Sequence, residues 1–320
     1  MIIYELLDEM MDNGYPQTTD FKILNEYIKS DYHKMSDREK KNVDVPDNID
    51  DVVNWRKRGI KHKKNQIYLD VIETLNMTVN SLGQVIKSEV VGKMAVNCNL
   101  SGMPTVNLGL NDKVLFEQTG RNALNTVELE DIKFHHCVKL AKFEGDRSIH
   151  FIPPDGEFDL MSYRVNMSVK PLFFIDFQHK LVGSTKLEIT LTIKALFKSK
   201  TKATDVEVHV PIPPDAFNPD FTAAAGVVSY YPDNDSIIWQ IPDFVGEQDI
   251  RMKTRMQLPT IISPDRDNYK NKPIKLTFEI PYFTVSGINV RYVKVTDDSG
   301  YEAVPWVRYM TQSGEYYIRH

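Results

Sequence analysis

The feature that most constrains this chain is an alternation of apolar and polar residues that begins after Trp55 and returns near the last residues. Successive strand side chains point to opposite faces, so a period of two marks a half-buried β-strand. Stretches 68–79, 187–193, 206–210, 237–241, 274–280, 288–295 and 306–309 carry it. Turn clusters separate them: Ser101-Gly102-Met103-Pro104, Pro153-Pro154-Asp155-Gly156, Pro213-Pro214-Asp215, Pro232-Asp233-Asn234-Asp235 and Asp297-Asp298-Ser299-Gly300. Proline presets one turn angle, and glycine or Asx residues tolerate the others. Many short strands with few helices predict a mainly β chain of sandwich architecture. Roughly 270 residues of such strands exceed one compact sandwich, so two are expected.

Residues 1–34 read differently. Ile3, Leu6, Leu7, Met10 and Met11 recur at helical spacing, and Asn13-Gly14 reads as the stop. Tyr15-Pro16-Gln17 reads as a turn, after which Thr18 or Thr19 can cap a second helix carrying Phe21, Ile23, Leu24, Tyr27 and Ile28. Two short helices cannot bury a core alone, so the chain is expected to open inside a domain. Residues 35–53 are charged, then proline-containing, and read as a linker to a β region at 54–320.

Composition removes several function classes. Hydrophobic content of 42% and charged content of 26% fit an ordinary globular chain. A net charge of -5 argues against general nucleic-acid binding. The two cysteines, Cys98 and Cys137, give no disulfide framework and suit a reducing compartment. No run of about 18 apolar residues reads as a membrane span, and the acidic opening is unlike a signal peptide. His135-His136-Cys137 offers ligand atoms, but adjacent strand residues face opposite ways and no second cluster stands at ligand spacing, so no metal is expected. No nucleophile-elbow or phosphate-loop motif occurs, so neither catalytic residues nor a cofactor are expected.

Two pairs carry recognition chemistry instead. Tyr68 and Asp70 share one strand face, and so do Trp306 and Arg308. Brought together, they would offer flat apolar walls, one carboxylate and one guanidinium, a combination suited to an aromatic hydroxyl. Arg56, Lys57, Arg58, Lys61, Lys63 and Lys64 form the densest basic run, with Lys194, Lys198, Lys200 and Lys202 a second. Either is a solvated face or a contact for anionic lipid headgroups.

Ordered blocks along the chain resemble the medium (mu) subunit of a clathrin-associated adaptor complex. They include Gly14-Tyr15-Pro16-Gln17-Thr18-Thr19, Leu69-Asp70-Val71-Ile72-Glu73, Leu100-Ser101-Gly102-Met103-Pro104 and Asn111-Asp112-Lys113. Further blocks are Phe151-Ile152-Pro153-Pro154-Asp155-Gly156-Glu157-Phe158, Ser286-Gly287 with Val290-Arg291-Tyr292, and Trp306-Val307-Arg308-Tyr309. Pro281-Tyr282-Phe283-Thr284 and Thr311-Gln312-Ser313-Gly314 are most similar to the adaptor complex 1 branch.

The resemblance implies the end of a longin-like domain at 1–34 and an elongated mu homology domain of two β-sandwich subdomains. Subdomain A would take about 54–163 and 285–320, and subdomain B about 164–284. It further implies binding of Tyr-x-x-Φ sorting signals, Φ being a bulky apolar residue, in cytosolic tails of membrane cargo. Tyr68, Asp70, Asn97, Trp306 and Arg308 fall on the tyrosine pocket. Leu69, Val290, Val293 and Val307 fall beside the Φ pocket or along the peptide strand. Asn97 departs from the family's Lys or Arg. Implied partners are two large and one small adaptor subunit, clathrin indirectly, an Arf-family GTPase and a phosphoinositide-containing membrane surface. The implied location is the cytoplasmic face of trans-Golgi and endosomal membranes and coated vesicles. Two rival readings stand beside this one: a scaffold subunit that reads little cargo, and a β-sandwich enzyme such as a glycosidase, which would need paired carboxylates in a cleft.

Overall fold

A computed structural model of the chain describes residues 6, 7, 9–12, 15, 16, 18–20, 24, 53, 55–111, 127, 129–140, 143, 148–165, 169–261 and 263–320. The expected helix residues Ile3, Phe21, Ile23, Tyr27 and Ile28, and the linker up to residue 52, lie outside them. Leu6, Leu7, Glu9 and Met10 are helical. Met11–Asp12 (β1) then pairs antiparallel with Tyr15–Pro16 (β2), Met11 opposite Pro16. Tyr15-Pro16 is therefore strand, not turn, and Met11 does not belong to the helical stripe. Asn-Gly between two extended pairs is a hairpin signal, which the helix-stop reading overlooked.

Among the described residues sixteen strands follow. β3 (Gln66–Val79), β4 (Val85–Asn99), β5 (Thr105–Leu110), β6 (Glu130–Phe134), β7 (Ser148–Phe151) and β8 (Gly156–Val165) come first. β9 (Phe173–Val182), β10 (Lys186–Ala195), β11 (Lys202–Pro211), β12 (Phe217–Ala223), β13 (Val227–Tyr231), β14 (Ser236–Val245), β15 (Asp249–Gln257) and β16 (Ile274–Pro281) come next, then β17 (Val290–Thr296) and β18 (Val304–Ile318). A nine-stranded sheet has the order β13-β14-β11-β16-β18-β3-β4-β8-β6. A four-stranded sheet, β12-β15-β10-β9, and a three-stranded sheet, β17-β5-β7, complete the fold. The chain is thus mainly β, in layered sheets, as the alternation implied. The sequence pattern did not reveal that β16 pairs with β18, which runs one sheet through both layered halves.

Aromatic contacts lock the four-stranded sheet onto the large one. Phe173 of β9 meets Phe244 of β14 at 5.5 Å and Phe278 of β16 at 4.9 Å between ring centroids. The buried Tyr316 hydroxyl donates to the Phe173 carbonyl at 3.0 Å, which satisfies it inside the core.

β3 shows how the alternation works. Ile67, Leu69, Val71, Leu75, Met77 and Val79 point inward and are buried, while Tyr68 and Asp70 point outward. Glu73 breaks the pattern: it occupies an inward position and is completely buried. A buried carboxylate needs donors, and four are supplied. The amides of Val285 (2.7 Å) and Ser286 (3.1 Å), the Ser286 hydroxyl, and the Tyr163 hydroxyl (3.2 Å) all donate to it. Burial and this neighbouring charge push the Tyr163 phenol well above its usual range, so it remains a donor. Glu73 thereby holds the segment that leads into β17. Glu73→Gln replaces one acceptor oxygen by an NH2 group that must face a donor. We expect a loss of about 1–3 kcal/mol of stability, read as a lower urea midpoint; an unchanged midpoint would contradict this role.

Candidate functional site

The first and last long strands of the β region lie side by side. β18 runs parallel to β3, with Trp306 opposite Tyr68 and Arg308 opposite Asp70. β4 lies on the other side of β3, with Asn97 opposite Tyr68 and Ala95 opposite Asp70. β8 continues the rows, with Glu157 opposite Asn97 and Asp159 opposite Ala95. Because these residues share the outward face, two rows run across four strands: Trp306, Tyr68, Asn97, Glu157, and Arg308, Asp70, Ala95, Asp159. They line an open cavity of about 680 Å³. All five residues expected at the tyrosine pocket border it.

Two ion pairs organise its polar wall. Arg308 grips Asp70 with both arms of its guanidinium, Nε to Oδ1 at 2.7 Å and Nη2 to Oδ2 at 2.6 Å. That hydrogen bonding, and then the carboxylate's charge, raise the Arg308 pKa further, with smaller contributions from Tyr282 and Tyr68. Lys93 reaches Asp159 at 3.2 Å. Asn97 donates its side-chain amide to Glu157 at 3.0 Å and accepts from Asn99 at 3.1 Å. Trp306 leaves 52% of its surface exposed, enough to offer a ring face.

Lys93, Glu157 and Asp159 were missed by sequence reasoning. Lys93, Ala95 and Asn97 alternate along β4, and Glu157 stands in the quoted Gly156-Glu157-Phe158 block. The pattern was available, but the register that sets β8 beside β4 was not.

The strand edges matter as much as the cavity. β16 pairs with β18 only from Met310 onward, so residues 304–308 have β3 on one side and no paired strand on the other among the described residues. β17 is likewise an edge strand that, among the described residues, pairs with β5 alone. Val290 donates its amide to the Tyr309 hydroxyl at 3.0 Å, which keeps the two edges together at that end. Val290, Val293 and Val307 are half-buried against the core. Leu69, paired with Val307, is fully buried and faces away from Tyr68. It underlies the apolar face that the half-buried valines share.

Arg56 corrects an expectation. It is buried, and its guanidinium donates to the carbonyls of Leu100 (2.5 Å), Gly102 (2.9 Å) and Pro153 (3.1 Å). A side chain so engaged cannot contact lipid. Lys57, Arg58, Lys61, Lys63 and Lys64 are exposed. In the second run Lys194 meets Asp249 at 3.6 Å and Lys202 meets Asp243 at 2.7 Å, while Lys198 and Lys200 remain exposed. His135 and His136 lie in a turn after β6 with ring centroids 4.0 Å apart, so they do not point to opposite faces. Among the described residues no group of three or more His, Cys, Asp or Glu is gathered as for a metal ion.

Fold and site together define a mainly β protein that presents an open strand edge beside an aromatic and charged cavity. The chain belongs to the adaptor complexes medium subunit family, whose description matches residues 53–320. It is 48% identical over 319 residues to the human AP-1 complex subunit mu-2, covering 100% of this chain and 74% of that protein. It is 46% identical over 320 residues to the Arabidopsis thaliana AP-1 complex subunit mu-1, with the same coverage. These similarities put it with the AP-1 branch of medium subunits. Among solved structures it resembles the yeast delta-COP-I mu-homology domain complexed with a Dsl1 WxWxV peptide. The TM-score is 0.58 at 14% identity, covering 81% of this chain and 100% of that one, a likeness of fold.

Proposed function

We propose that this medium subunit binds Tyr-x-x-Φ sorting signals by adding the signal as a strand to the free edge of β18. The observation that carries the reading is the coincidence of that edge with the cavity of Tyr68, Asp70, Asn97, Trp306 and Arg308. Main-chain bonds to an edge give affinity, and pockets for alternate side chains give specificity. The tyrosine ring stacks on Trp306 and the Arg308 plane, and its hydroxyl donates to Asp70. The Φ side chain, three residues on, points to the opposite face, toward Val307, Val290 and Val293.

The same reading makes the chain one subunit of an assembly with two large and one small adaptor subunit. It links to clathrin indirectly and is recruited by an Arf-family GTPase to phosphoinositide-containing trans-Golgi and endosomal membranes. The exposed cations Lys57, Arg58, Lys61, Lys63 and Lys64 would face that membrane; Arg56 would not. No catalysis is part of the proposal. Of the three carboxylates in the cavity, Asp70 and Asp159 are engaged by cations, an arrangement unlike a glycosidase pair.

Calorimetry with the full chain and a Tyr-x-x-Leu peptide tests it. We expect a Kd near micromolar, about -8 kcal/mol. Tyr→Ala in the peptide abolishes measurable binding. Tyr→Phe costs only about 0.5–1.5 kcal/mol, because Asp70 and Arg308 still satisfy each other. Equal affinity for the Tyr and Ala peptides refutes the pocket. Absence of any binding favours the scaffold reading.

A further inference from the structure

Among the described residues six non-glycine residues hold a positive φ: Asp131, Asp205, Asn218, Asp235, Glu247 and Tyr282. Four are Asp or Asn, whose short polar side chains tolerate that region. Tyr282, at φ 57, is the one bulky aromatic. The residue is 83% exposed, so packing does not explain it. Its amide donates to the Tyr309 carbonyl at 2.7 Å, a bond that glycine would make equally well. That carbonyl is where the free edge of β18 ends, one residue past Arg308. A strained backbone carrying an exposed ring next to a recognition cavity points to use of the ring.

We infer that Tyr282 is a specificity-determining residue of the signal site: it stops the added strand at Arg308 and stacks on the flanking peptide side chain two residues from the signal tyrosine, which shares the tyrosine's face. The inference rests on the tyrosine-signal reading above. Three features give the ring this role. It stands at the end of the unpaired edge, so a peptide strand laid along residues 304–308 runs against it. Arg308 keeps 66% of its side-chain surface exposed and Tyr282 is itself exposed, so guanidinium and phenol are both open to a peptide side chain on the tyrosine's own face. Both surfaces are flat, so the favoured flanking side chain is aromatic or planar and not a small or β-branched one.

The test uses the full chain with Tyr282→Ala, Tyr282→Phe and Tyr282→Gly. Calorimetry is run with Tyr-x-x-Leu peptides that carry Phe, Gln or Gly at each position two residues from the tyrosine, plus a Tyr→Ala control. We expect Tyr282→Ala and Tyr282→Gly to raise Kd by about 2- to 10-fold, the scale of one aromatic contact, and to erase the preference for Phe over Gly at one flanking position. Tyr282→Phe keeps both affinity and preference. Tyr282→Gly also relieves the backbone, so its thermal midpoint does not fall. Weaker binding without lower stability separates a contact role from a structural one. The inference is overturned if tyrosine-dependent binding is unchanged in Tyr282→Ala. It is equally overturned if Tyr282→Gly loses affinity and stability together. If the wild-type chain does not distinguish the tyrosine peptide from its alanine control, the signal reading fails first and takes this inference with it.

Discussion

Arg56→Met is expected to destabilise the β region by about 3–5 kcal/mol, the cost of breaking a buried charged network by removing one partner. Arg56 follows Trp55, whose indole N–H donates to the Ile152 carbonyl at 2.8 Å. Side by side, the two residues pin the entry to the β region onto two loops. Arg56 supplies donors to the carbonyls of Leu100 and Gly102 in one loop and Pro153 in the other, with Asp155 at 4.0 Å. Methionine fills similar volume but leaves three carbonyls without a donor. Lysine keeps the charge but cannot reproduce the planar fork, so Arg56→Lys should fall between the two. Urea unfolding followed by fluorescence and circular dichroism reads the change. A midpoint within error of wild type for Arg56→Met would mean that water replaces the guanidinium at no cost.

Arg56 also marks where sequence reading ends. In the sequence it is one of six cations in nine residues, 56 to 64, and a charge run is usually a solvated face. Nothing local distinguishes the member that turns inward. Its acceptors are backbone carbonyls 44 to 97 residues away, and carbonyls carry no sequence signature. Glu73 poses the same problem with a better clue. It occupies an inward slot in a strand whose other inward residues are apolar, so a buried partner was implied, though not its identity. The outward pairs Tyr68 with Asp70 and Trp306 with Arg308 were legible because period-two alternation fixes which side chains share a face. Their meeting was not, because parallel pairing of strands 238 residues apart depends on the whole fold. Only the ordered motifs shared with the medium-subunit family brought the two pairs together before the geometry did.

Local signals also misled at predictable places. Asn13-Gly14 serves as helix stop or hairpin turn, and propensity alone does not choose between them. His135 and His136 were treated as strand residues, yet β6 ends at Phe134, and in a turn neighbouring rings can stack.

The electrostatics of the cavity set the last expectation. Three carboxylates, Asp70, Glu157 and Asp159, face two cations, Lys93 and Arg308, for a formal charge of -1. Both cations already hold partners, Arg308 in a two-armed pair and Lys93 at 3.2 Å. Asn97, where the resemblance implies a Lys or Arg, supplies an amide to Glu157 in place of a charge. Phosphorylating the signal tyrosine adds about -1.5 to -2 charges to the group that must enter here. The phosphate then meets carboxylates, and recruiting Arg308 means breaking its bond with Asp70. Like charges brought together cost several kcal/mol. We therefore expect the phosphopeptide to bind at least about 100-fold more weakly than its parent, roughly 3 kcal/mol. Asn97→Lys provides the internal control. A lysine there cancels the formal charge and pairs with Glu157 or the phosphate, so the penalty should shrink, and the rescue should fade as salt rises. Calorimetry on both peptides and both proteins reads this directly. Phosphopeptide binding that equals or exceeds that of the parent would mean that Arg308 leaves Asp70 readily, and would make the cavity a phosphotyrosine reader.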